Sequence, residues 1–98
     1  MRALYDSEAD ALSIDVLVVD HWDSSEVIDD NYCIVALAGG RPANVELLYP
    51  REHLDLLPVA AERCALDVHA LEAAAQSALA APDRTVVRKC RRRRSART

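Results

Sequence analysis

Apolar and polar side chains first alternate regularly in ALSIDVLVV, residues 11–19, where Leu12, Ile14 and Val16 interleave with Ser13, Asp15 and Leu17. A period of two among Leu and β-branched residues predicts a β-strand with one apolar face. HWDSS, residues 21–25, reads as a turn, and Asp29-Asp30-Asn31 as an irregular entry into a second strand over 32–38. Gly39-Gly40 supplies the left-handed backbone that a tight hairpin needs. The third strand follows in ANVELLY, residues 43–49, with Val45 and Leu47 on one face and Glu46 and Leu48 on the other.

Beyond Tyr49 the period changes. Pro50 suits the first position of a helix carrying Leu54 and Leu57, which Pro58 then kinks or restarts. Asp67 is a good N-cap for a second helix, in which Val68, Leu71, Ala75 and Leu79 recur at three and four on one stripe until Pro82. TVVR, residues 85–88, reads as a fourth, edge strand. The fold class predicted is α+β: a three-stranded antiparallel β-meander with that edge strand, packed against two or three C-terminal helices. Residues 1–81 form the single domain, with the meander in 1–49 and the helical cover in 50–81; residues 82–98 read as a basic, flexible tail.

Composition sharpens this picture. The hydrophobic fraction is 51% of 98 residues, with one Trp, three Tyr and no Phe. Such a core is aliphatic and modest, so marginal stability or a partner that completes it is expected. The net charge of -4 conceals opposite halves. Residues 1–81 hold fifteen of the sixteen acidic side chains against four basic ones, a net of -11, whereas 82–98 hold eight basic ones against Asp83, a net of +7. An acidic body attracts basic proteins and repels phosphates; a basic tail does the reverse. Three cysteines, Cys33, Cys64 and Cys90, lack the number and spacing of a disulfide framework or a metal knuckle. MRALYDSEAD has no apolar leader core, and no stretch reaches the roughly 18 residues of a membrane span. A cytoplasmic setting without membrane contact is expected, and eleven Arg to one Lys with abundant Ala suits a GC-rich bacterial genome.

The stretch from Tyr5 to Ile14, YDSEADALSI, resembles the opening of the small bacterial family DUF2283, whose pattern is Tyr-Asp-x-x-x-Asp-x-Leu-x-Ile. The resemblance extends through Glu26-Val27-Ile28-Asp29-Asp30, Gly39-Gly40 and Val45-Glu46-Leu47-Leu48, over about residues 3–57, with Ser13 standing where an aromatic is usual. It implies a fold more than an activity. Some members resemble antitoxins, which implies masking of a small toxin-like protein.

Other constellations point away from catalysis. In the opening, Tyr5 is expected to pack across the strand start, Asp6 to cap the turn at Ser7-Glu8-Ala9, and Asp10 to accept backbone amides. Alternate carboxylates at Asp6, Glu8 and Asp10 suggest a calcium loop, but its glycine and its twelfth-position Glu are missing. Among His21, His53, His69 and the cysteines only Cys64 and His69 are suitably spaced, so no metal and no cofactor are expected. Neither a nucleophile elbow nor a phosphate-binding glycine loop is present, and an enzyme is not expected. VAAERCALDVHALEAAAQSAL has a helix-turn-helix rhythm, but its second helix opens with Asp67, His69 and Glu72, which phosphate would repel. A helical hairpin packed on the sheet is the better reading.

The functional expectation is therefore a non-catalytic protein-interaction module, antitoxin-like, whose acidic body binds a basic protein partner such as a small toxin through Glu8, Asp10, Asp29 and Asp30. Exposed strand edges also favour a homo-oligomer. The alternative is a nucleic-acid-binding accessory protein acting through Arg88, Lys89, Arg91, Arg92, Arg93, Arg94 and Arg97. Arginine suits phosphate, and with no interleaved aromatics base stacking is not indicated.

Overall fold

The computed structural model describes residues 1–88. Its order is β1 (Arg2–Asp6), β2 (Ala11–Asp15), β3 (Ser24–Asp29), β4 (Cys33–Ala38), β5 (Arg41–Leu48), a 3-10 turn (Pro50–Glu52), α1 (Leu56–Cys64), α2 (Val68–Ala80) and β6 (Val86–Val87). The strands form one six-stranded antiparallel sheet in the order β3-β4-β5-β2-β1-β6. The α+β class stands. The sheet, however, has six strands where three or four were expected.

The expected adjacency changes too. The first predicted strand, now β2, does not lie beside β4; β5 separates them and pairs with both. Residues 16–23 carry the chain from β2 to the far edge, where β3 starts the true meander β3-β4-β5. β2 also stops at Asp15 rather than Val19. Val16 and Leu17 both donate their N–H groups to the Ala43 carbonyl, at 2.8 and 3.1 Å, so the chain bends out of the ladder there. Pro42 brings no N–H to β5, and the β4–β5 register shifts between Ala36 and Leu37 beside it.

Two strands were not expected, β1 and β3, the latter beginning inside the stretch 21–25 that was read as a turn. β1 alternates exposed and buried residues but turns only Ala3 and Tyr5 inward, while β3 is a polar edge strand with a register shift between Val27 and Asp29. Pairing with a neighbour, not side-chain preference, makes both of them strands.

The inner face is laid out in two rows across the sheet. Ala3, Ile14, Val45 and Val35 form one; Tyr5, Leu12, Leu47 and Cys33 form the other. The helices cover these rows with Leu57, Ala60, Ala61, Leu71, Ala74, Ala75, Ala78 and Leu79, all buried. Asp67 caps α2 as expected, its carboxylate accepting the N–H groups of His69 (3.0 Å) and Ala70 (3.2 Å). Pro50 opens only a 3-10 turn; Pro58 lies in the first turn of α1, where its missing N–H would have had no helical partner. The two helices form a hairpin against the sheet, and no helix of the described residues is long and apolar enough to cross a membrane.

α1 ends at Ala65, which takes the left-handed conformation (φ 56, ψ 46) that glycine adopts without strain. Ala65→Gly is expected to raise the unfolding free energy by about 0.5 kcal/mol, read as a higher urea midpoint at unchanged slope.

Candidate functional site

Two turns meet at one end of the sheet, β1–β2 (residues 7–10) and β3–β4 (residues 30–32), with the exit of β5 at Tyr49 between them. The Tyr49 N–H donates to the Asp10 carbonyl (2.8 Å) and the Leu48 N–H to that of Tyr32 (2.8 Å), locking the three segments together. Glu8, Asp10, Asp29 and Asp30 therefore share this end of the molecule.

Their roles differ. Asp6 caps the first turn as expected, accepting the N–H groups of Glu8 (3.0 Å) and Ala9 (3.1 Å). Asp10, expected to accept backbone amides, instead accepts the Tyr5 hydroxyl at 2.6 Å, and its own backbone is left-handed (φ 53). That bond, with burial and the Asp10 charge, pushes the Tyr5 phenol above its ordinary range. Asp29 caps the second turn through the N–H groups of Asn31 (3.0 Å) and Tyr32 (3.1 Å). Asp10 and Asp29 thus hold the turns, while Glu8 and Asp30 are exposed and accept no hydrogen bond from the described residues.

Aromatic rings fill the space between the turns. Tyr32 stacks on His53 (centroids 3.9 Å apart, planes at 17°) and meets Tyr49 edge-on (6.1 Å, 71°). Tyr49 is 47% exposed and sits at φ 48, a left-handed conformation uncommon for a bulky residue. Strain of this kind persists only where neighbours impose it. A hollow of about 120 Å³ opens beside the rings on the outer face of the sheet, lined by Asp30, Asn31, Tyr32, Cys33, Ile34, Glu46 and Leu48. A lining that includes two acidic residues, a tyrosine and aliphatic side chains suits a guanidinium or ammonium group and its stem. Glu46, Tyr32 and Tyr49 were not singled out as site residues in the sequence, and His53 was weighed only as a metal ligand; Tyr49 is left-handed although a residue before proline is ordinarily extended, so no local pattern marks this group.

The opening signature is also tied to the chain's second half. The Asp83 carboxylate accepts the N–H and hydroxyl of Ser7, at 2.9 and 2.7 Å, while the Asp83 N–H donates to the Tyr5 carbonyl at 2.7 Å. The Ser7 bonds hold the Asp83 carboxyl below its ordinary range. A carboxyl lowered by folding contributes stability above its unfolded pKa and loses it as the pH falls through the folded value, so acid loosens this tie. Residues 82–88 are thereby joined to the body, with β6 pairing to β1. Of the Arg-rich set, Arg88 is exposed at the sheet edge; Lys89, Arg91, Arg92, Arg93, Arg94 and Arg97 lie outside the described residues.

The described residues hold no cluster of three or more metal-ligating side chains. Cys33 is buried, its thiol pushed up to about 11, mainly by burial and then by Asp29 and Cys64, which makes it a poor nucleophile at neutral pH. Ser13 accepts the Asn44 amide N–H at 2.9 Å. No protein-family model, curated protein or solved structure matches the chain.

Proposed function

We propose that the protein is a non-catalytic interaction module that binds a basic protein partner at the acidic and aromatic end of its sheet, in the manner of an antitoxin. The hollow lined by Asp30, Tyr32 and Glu46 carries this reading, because it offers two acidic residues and a ring to one cationic side chain, with the exposed Glu8 and Tyr49 at the same end of the sheet. The net charge of residues 1–81 supports it through long-range attraction, and the resemblance of Tyr5 to Ile14 to DUF2283 supports the antitoxin comparison. Asp10 and Asp29 serve the site indirectly, by fixing the two turns.

Charge reversal tests the assignment. In a nuclease-treated pull-down from the source cells, the protein is expected to retain a small basic protein. The combined variant Glu8→Lys, Asp30→Lys and Glu46→Lys is expected to weaken that binding by about tenfold or more and to flatten its salt dependence. Unchanged affinity and unchanged salt slope would sink the proposal.

A further inference from the structure

The connection from β2 to β3, residues 16–23, leaves large apolar side chains in solvent: Val18 is 74% exposed and Trp22, the only tryptophan of the chain, 53%. It is nevertheless fastened at both ends. Val16 and Leu17 donate to the Ala43 carbonyl, while the Asp23 N–H donates to the Leu37 carbonyl at 3.0 Å and the Asp23 carboxylate accepts the Gly39 N–H at 2.9 Å. Leu17, Val18, Asp20 and Trp22 of this connection, with Arg2 and Asp15 of the adjoining strands, line a pocket of about 380 Å³ at the end of the sheet opposite the acidic turns. That volume lies at the lower end of the range for small-ligand sites.

The charged groups of the lining are not equivalent. Asp15 is engaged through both oxygens: Oδ2 accepts Nε and Nη2 of Arg2 at 3.2 and 2.9 Å, and Oδ1 accepts the Asn44 amide at 2.8 Å. Asn44 is 4% exposed and donates to the Ser13 hydroxyl as well, so the Arg2–Asp15 pair is a fixed part of the wall with no net charge. Asp20 accepts no hydrogen bond from the described residues and is the carboxylate the pocket offers; His21 also lines it. The net charge of -11 over residues 1–81 draws cations toward the site and opposes anions. An indole, aliphatic side chains and one available carboxylate complement a small cation on an apolar stem.

We infer that this pocket binds a small aliphatic amine or guanidine, whose stem packs along Val18 and Trp22 while its cationic head meets Asp20. One carboxylate and a half-exposed ring support an affinity of about 1 mM for a ligand of this size. The site is separate from the acidic hollow and does not depend on a protein partner.

Trp22 fluorescence reads the contact directly, and agmatine, which joins a guanidinium to an ammonium through a methylene chain, is the probe. It is titrated into the full-length protein at low salt and pH 8, above the range in which imidazoles ordinarily ionise. The Trp22 emission is expected to change saturably, with a midpoint of about 1 mM. Asp20→Asn is expected to raise that midpoint about fivefold and Val18→Ser about twofold, whereas Glu62→Gln, which removes an exposed carboxylate on α1, should leave it in place. A response that never saturates, or a midpoint that moves equally in Asp20→Asn and Glu62→Gln, overturns the inference. A blocked Gly-Arg-Gly tripeptide that saturates at an about tenfold lower concentration than agmatine assigns the pocket to arginines of a polypeptide and overturns the small-amine assignment. The charge-reversal pull-down reads the other end of the sheet, so the two experiments fail independently.

Discussion

Leu47→Ala is expected to lower the unfolding free energy by about 3 kcal/mol. Leu47 is fully buried on β5, a central strand, and stands between Leu12 and Cys33 in one of the two rows that the helices cover. Removing its branched end takes apolar area from the core and leaves a cavity that strands pinned on both sides cannot close. For a domain of this size the loss is a large part of a total of roughly 5 to 10 kcal/mol, and it should lower the thermal midpoint by well over about 10 °C. Thermal and urea unfolding measure it. Leu4→Ala is the control: Leu4 lies on the opposite face of the sheet at 38% exposure, and its loss should stay below about 1 kcal/mol. Equal losses at the two positions would mean that the helices do not cover the face assigned to them.

Ala75→Leu is expected to destabilise the domain by about 2 kcal/mol, for the opposite reason. Ala74, Ala75 and Ala78 have no exposed surface, so α2 packs through small side chains against its neighbours. Three added carbons have no space to enter and must displace either the helix or the strands beneath it. Ala80→Leu, on the exposed side of the same helix, should change stability by less than about 0.5 kcal/mol. Differential scanning calorimetry of the pair separates overpacking from a general effect of leucine in this helix.

The turn end presents the exposed carboxylates of Glu8 and Asp30 and the strained Tyr49. Charge-reversing all of Glu8, Asp10, Asp29 and Asp30 would confound binding with folding, because Asp10 and Asp29 each hold a turn through their own hydrogen bonds.

Much of this was legible in the chain itself. The alternation of Leu12 and Ile14, and of Val45 and Leu47, identified inward positions that are fully buried, and Asp67 and the Leu71, Ala75 and Leu79 stripe located α2 and its covered face. These signals are local: a period or a cap is a property of a few neighbouring residues and survives without knowledge of the rest. Strand neighbours were not legible, since β5 inserts between β2 and β4 only because β3 takes the outer edge of β4 and residues 16–23 span the distance. β1 and β3 were likewise hidden, because RALYD and SSEVID offer few inward apolar side chains and become strands through backbone bonds to partners distant in sequence. The carboxylates of the acidic turns could be named from the chain, but the contacts among the rings of Tyr32, Tyr49 and His53, and the meeting of Asp30 and Glu46 in the lining of one hollow, arise only when the sheet brings those segments together. Composition and period determined which side chains seek the interior; long-range pairing decided which polar ones meet, because surface side chains carry no periodic signal of their own.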